Sequence, residues 1–98
     1  MTVEDLEAQR QSRTVFTRNW VNTQKINYGA THGCLYVQGK LMLLREPPSK
    51  PGEHQDRQGV TASFLLHLER ELLKVSGIRS IRWNLAGWQR TSSSWTYR

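Results

Sequence analysis

Two neighbouring stretches in the first half of the chain show the alternation that is typical of a β-hairpin. From residue 26 to residue 30, apolar side chains alternate with Asn27 and Gly29. After the turn-forming sequence Thr-His-Gly comes a second stretch, 34–44, in which Leu35 and Val37 fall on one side and Tyr36 on the other. Because side chains alternate between the two faces of a strand, the pattern predicts two antiparallel strands that share a buried face.

The second half of the chain predicts a helix followed by a strand. Thr61 is a favourable N-cap, and leucines recur behind it with helical spacing at positions 65, 68 and 72. This pattern predicts an amphipathic helix over 61–75. Apolar and polar residues alternate again over 79–85. Since a strand–helix–strand crossover joins parallel strands, we expect 79–85 to lie parallel to 34–44.

These elements predict an α+β fold, with a three-stranded mixed sheet and the helix 61–75 on one of its faces. At the N-terminus the pattern favours a helix over 3–11, whereas residues 13–23 fit a helix or a strand equally well. The prolines and glycines of 45–59 predict a flexible loop, and the serine-rich sequence of 88–98 predicts a tail. A chain of 98 residues is expected to form a single domain, 1–98, with a structured core of about 25–86.

The charge of the chain narrows the choice of partner. The net charge is +6, and every charged residue between Gln9 and Arg45, and again after Glu71, is a cation. A basic surface attracts nucleic acid, anionic lipid or an acidic protein. No apolar run approaches the roughly 18 residues that span a bilayer, so we predict no transmembrane segment. The acidic, polar N-terminal sequence does not resemble a secretory signal, which predicts a cytoplasmic location, or a periplasmic one for a mature or truncated domain.

The sequence shows no group of residues that would carry catalysis. Cys34 has no base beside it that could activate a nucleophile, and the acids form no pair for acid–base work. His32 and Cys34 lack the neighbours that a zinc site requires. The glycines separate strands and do not form a phosphate-binding loop. We therefore expect a protein that is not an enzyme and that needs no metal and no cofactor.

The stretch Leu-Tyr-Val-Gln-Gly-Lys, residues 35–40, gives the first of two resemblances to known families. It resembles the second ribonucleoprotein motif of RNA-recognition domains, where an aromatic side chain on a strand stacks on an RNA base. The partner motif of those domains is absent from the chain. The resemblance implies that Tyr36 faces a single-stranded nucleic acid.

The second resemblance covers about residues 26–85. Gly-Cys-Leu-Tyr-Val-Gln-Gly, residues 33–39, fits a Gly-x-hydrophobic-x-hydrophobic-x-Gly pattern, and residues 75–85 are similar to Val-x-Gly-Val-x-x-Val-x-Asn-x-Leu. In the order and spacing of these motifs, the chain resembles the BON (bacterial OsmY and nodulation) domain family. The resemblance implies a small, non-catalytic α/β sandwich that associates with phospholipid or with envelope proteins.

Arginine and tryptophan alternate near the C-terminus, at Arg79, Arg82, Trp88 and Arg90. This combination suits a membrane interface, where indole rings lie at headgroup level, and it also suits single-stranded nucleic acid. Together with Tyr36, these residues are the candidate ligand-binding site. The favoured hypothesis is a BON-like module that binds anionic phospholipid surfaces or an envelope protein. The alternatives are a single-stranded nucleic-acid-binding domain and a homo-oligomerisation domain that uses an uncovered face of the sheet.

Overall fold

The computed structural model describes residues 3–44, 60–92 and 94–97. The elements in chain order are α1 (Val3–Arg18), a 3-10 helix (Thr23–Lys25), β1 (Ile26–Thr31), β2 (Cys34–Gly39), α2 (Ala62–Leu73), β3 (Ser80–Leu85), β4 (Trp88–Arg90) and β5 (Trp95–Tyr97). The predicted α+β class, the N-terminal helix and the three-stranded mixed sheet are confirmed. The predicted loop 45–59 lies outside the described residues.

The main sheet has the strand order β1-β2-β3. Strand β2 pairs antiparallel with β1, where Val37 lies opposite Tyr28, and parallel with β3, where Val37 lies opposite Trp83. Strand β2 ends at Gly39, before the predicted limit of residue 44. Gly39 has a φ of 114°, which a residue with a side chain rarely adopts, and this turn takes the chain out of the ladder.

Helix α2 forms where the sequence predicts it. The hydroxyl of Thr61 accepts a hydrogen bond of 3.1 Å from the Phe64 N–H, so one of the unpaired donors of the first turn has a partner. Leu65, Leu68 and Leu72 are fully buried. These leucines fill the core between the helix and the sheet.

Helix α1 is longer than the favoured 3–11 and extends through much of the ambiguous stretch. Its buried residues, Asp5, Ala8, Ser12, Val15 and Phe16, recur every three or four positions and form one face. Contacts along this face outweigh the weak helix propensity of the β-branched residues in 13–18.

Three contacts dock α1 along the outer strand β1 and the turn that follows it. The rings of Phe16 and Tyr28 lie 5.1 Å apart. Burial raises the pKa of the Tyr28 phenol, an effect that the nearby Arg13 opposes. The Gln9 side-chain oxygen accepts a hydrogen bond of 3.4 Å from the Ala30 N–H.

The buried carboxylate of Asp5 is the third contact. It accepts hydrogen bonds from the N–H groups of His32 at 3.2 Å and Gly33 at 3.4 Å. Both residues of this turn have a positive φ, 51° for His32 and 80° for Gly33. The helix therefore fixes the turn that sets the register of the first two strands.

The prediction of a C-terminal tail is wrong. Strands β4 and β5 pair as an antiparallel hairpin. Trp88 and Trp95 are buried, and the Trp95 ring makes a T-shaped contact with Trp83 at 5.1 Å. Because buried tryptophans contribute a large apolar area, they order a segment whose serine content alone suggests a tail. The core thus extends beyond the predicted 25–86 at both ends.

Candidate functional site

The buried side chains of the three-stranded sheet face the helices, and no described element covers its other side, which we call the open face. The residues of this face alternate with the core residues along each strand, and all of them except the buried Gly29 are exposed or half-buried. The open face comprises Asn27, Gly29 and Thr31 of β1, Cys34, Tyr36 and Gln38 of β2, and Ser80, Arg82 and Asn84 of β3.

Strand register arranges these residues in rows across the sheet. In the central row Tyr36 lies between Gly29 and Arg82. Successive rows on one face are roughly 7 Å apart, which is twice the rise per residue of a strand. The open face is therefore a three-strand-wide platform with an aromatic ring near its centre.

Tyr36 lies over Gly29, and the two residues depend on each other. A methyl group added at Gly29 would lie 2.5 Å from Tyr36 Oη and 2.7 Å from Tyr36 Cζ, so only glycine leaves room for the ring in this position. Gly29 is buried although it belongs to the open face, whereas Tyr36 is 42% exposed. One side of the ring thus covers backbone, and the other is available to a flat ligand.

The charge of the open face is uniformly positive in the described part of the chain. Arg82 is exposed beside Tyr36. Just beyond the last paired residues of β1 and β2, the exposed Lys25 and Lys40 are joined by a 3.3 Å hydrogen bond from the Lys40 N–H to the Lys25 carbonyl.

The structure brings together only part of the predicted site. Tyr36 and Arg82 are neighbours on the open face. Arg79 precedes β3 at the edge of the sheet, where its N–H donates a 2.7 Å hydrogen bond to the Gly33 carbonyl. Its side chain is exposed but does not belong to the rows around Tyr36.

The other two predicted residues have structural roles. Trp88 is only 7% exposed, so the prediction that it anchors the protein at an interface is wrong. The Arg90 guanidinium pairs with Glu69 at 3.2 Å and donates a 2.8 Å hydrogen bond to the Ser94 carbonyl. It therefore links α2 to the C-terminal hairpin.

The sequence did not predict the row of amide side chains next to Tyr36. Gln38 lies between Asn27 and Asn84, and all three amide side chains are exposed. Their polar positions in alternating strands were visible in the sequence. Their alignment depends on the register between strands, which the alternation does not specify.

A second exposed feature lies where α1 ends. Trp20 has a φ of 64° and follows the helix in the position that usually takes glycine. Two hydrogen bonds close the end of the helix: the Trp20 N–H donates to the Thr17 carbonyl at 3.1 Å, and the Val21 N–H donates to the Phe16 carbonyl at 2.9 Å. The Trp20 side chain is 50% exposed. Leu44 is 68% exposed, and its N–H donates a 2.7 Å hydrogen bond to the Trp20 carbonyl.

Within the described residues, no three His, Cys, Asp or Glu side chains are grouped so that they could hold a metal ion. Neither α1 nor α2, the helices of the described ranges, is long and apolar enough to cross a membrane. The chain matches no protein-family model, no curated protein and no solved structure.

Proposed function

We propose that the open face binds single-stranded nucleic acid. The observation that carries the proposal is the position of Tyr36, whose exposed ring lies over Gly29 near the centre of a face that has no acid among its described residues. Every nucleobase has a flat π-face, and base stacking on an aromatic side chain is worth about 1–3 kcal/mol. A single strand leaves its bases available for this contact, whereas a duplex keeps them paired and stacked.

The cations of the sheet would hold the backbone of such a strand. Arg82 is next to Tyr36 in the same row, within reach of a phosphate attached to the stacked nucleotide. Lys25 and Lys40 extend the positive charge to one end of the face. Electrostatic attraction to phosphate is independent of sequence and is the main source of affinity in this kind of complex.

Fluorescence anisotropy with labelled single-stranded RNA and DNA at physiological salt tests the proposal. Tyr36→Ala is expected to weaken binding by roughly 5- to 100-fold, the equivalent of a lost stacking contact. Tyr36→Phe keeps the ring and is the matched control, for which we expect nearly unchanged affinity. Equal affinities of the wild-type protein and the Tyr36→Ala variant would contradict the proposal.

Association with anionic lipid is a second candidate function, and the exposed Trp20 and Leu44 favour it. Tryptophan suits the headgroup region of a bilayer. A tryptophan at a left-handed position is strained, and strain of this kind is often retained where a side chain has a function. Lys25 lies five residues after Trp20, and Lys40 lies four residues before Leu44. Both lysines would add attraction to anionic headgroups. Membership of the BON family, which implies this function, stays a prediction that rests on the motif spacing.

Vesicle binding separates the two candidates. If lipid is the ligand, the protein will sediment with anionic vesicles and not with neutral ones, and Trp20→Gly will reduce this while Tyr36→Ala will not. If nucleic acid is the ligand, the two variants will show the reverse pattern in the anisotropy experiment. A protein that binds neither ligand and forms a defined oligomer in analytical ultracentrifugation would instead be an assembly domain.

A further inference from the structure

We infer that the open face also selects the base it binds, and that the row formed by Asn27, Gln38 and Asn84 gives it a preference for adenine. This inference rests on the proposed binding of single-stranded nucleic acid. It concerns specificity, whereas Tyr36 and the cations account for binding to any sequence.

The three amides form one continuous row across the sheet. Gln38 on the central strand has Asn27 as its Cα partner on β1 and Asn84 as its Cα partner on β3. All three are exposed, and none of their side chains forms a hydrogen bond or ion pair with another described residue. Their donors and acceptors are therefore available to a ligand.

The row is placed where the edge of a stacked base would lie. Gln38 follows Tyr36 by two positions on β2, so the two side chains emerge on the same face roughly 7 Å apart. A base that stacks on the Tyr36 ring directs one of its edges along the strand towards Gln38. The amides of Asn27 and Asn84 stand on either side of this edge.

The chemistry of the row favours adenine. The proposed contact is to the Hoogsteen edge of the base. A carboxamide presents one donor group and one acceptor, and on this edge only adenine places an acceptor, N7, beside a donor, the N6 amino group. Guanine presents two acceptors there, N7 and O6, and each pyrimidine presents a single polar group. The amide row contains neither a cation nor an acid.

The test uses short uridine oligonucleotides that differ only in one central base. We expect the wild-type protein to bind the oligonucleotide with a central adenine about tenfold more tightly than those with uridine, cytosine or guanine, the discrimination typical of one two-point contact. Gln38→Ala should remove this preference, so that the four oligonucleotides bind with affinities within about twofold of one another. Gln89→Ala, an exposed glutamine on β4 outside the open face, is the matched control and should keep the preference.

The outcomes distinguish this inference from the proposed function. Binding that is lost in Tyr36→Ala but is equal for all four central bases would show that the amide row does not select the base, and it would leave the proposed single-strand binding intact. A preference for guanine, or an adenine preference that survives in the Gln38→Ala, Asn27→Ala and Asn84→Ala variants alike, would also overturn it. Failure of the wild-type protein to bind any of the oligonucleotides would remove the proposed function itself.

Discussion

At the scale of single residues, the pairing of Gly29 with Tyr36 determines what the open face can bind. The strand alternation predicts that Tyr36 points away from the core, and the structure confirms its exposure. The sequence did not indicate that a glycine on the neighbouring strand would lie beneath the ring. That contact follows from the antiparallel register, in which Gly29 and Tyr36 are Cα partners.

Gly29→Ala tests this arrangement. The new methyl group would meet the outer end of the Tyr36 side chain, which can rotate away, so we expect the free energy of unfolding to change by less than about 1 kcal/mol. Because the ring then leaves its position over the sheet, binding of single-stranded RNA should weaken severalfold. Urea denaturation and fluorescence anisotropy measure the two effects. Thr31→Ala, on the same strand and face, is the control and should alter neither.

At the scale of elements, the sequence predicted those that carry a regular pattern. The spacing of Leu65, Leu68 and Leu72 predicted α2, and alternation predicted the three strands of the main sheet. The second half of α1 was left open between helix and strand, and the β4–β5 hairpin was missed because its serine-rich sequence shows no regular alternation. Both are held by long-range contacts, through Phe16 and Trp95, which periodicity does not detect.

Trp95→Ala measures how much the C-terminal hairpin contributes to the fold. The ring is 5% exposed and packs on Trp83, so its removal leaves a large cavity and should lower the free energy of unfolding by about 3–5 kcal/mol. Thr96→Ala, at an exposed position of the same strand, should change it by less than about 0.5 kcal/mol. Chemical denaturation followed by tryptophan fluorescence gives both values. A Trp95→Ala variant as stable as wild type would mean that the hairpin is not part of the core.

At the scale of the whole molecule, the acids of the described residues are confined to the helices, which also carry cations. Every Asp and Glu among the described residues lies on a helix, three near the start of α1 and two on α2. The strands of the main sheet contain no acid, and the open face carries Arg82 with Lys25 and Lys40 at its end. The sequence indicated the excess of cations. That the main sheet is free of acids depends on the fold, which brings together segments from both halves of the chain.

Salt dependence tests whether the cations on and beside the open face are the contact surface. Each phosphate that is neutralised on a single strand contributes about −0.7 to the slope of log K against log salt concentration, so contacts from Arg82, Lys25 and Lys40 predict a slope of about −2. Lys40→Ala should make the slope less steep by about 0.7. Lys74→Ala, at an exposed position just after α2, should leave it unchanged. Equal slopes for the two variants would place the contact elsewhere on the molecule.

The hydrogen bond between Gln9 and Ala30 has a consequence for how the protein behaves when it is concentrated. Strand β1 is one of the two edge strands of the sheet, and unpaired backbone groups on such a strand can pair with another copy and start aggregation. The Gln9 side chain occupies one of these groups and keeps α1 beside the strand. We expect Gln9→Ala to scatter more light than wild type as concentration rises, whereas Gln11→Ala, on the exposed side of the same helix, should stay dispersed. A glutamine outside the binding face would then set the highest concentration at which the protein remains in solution.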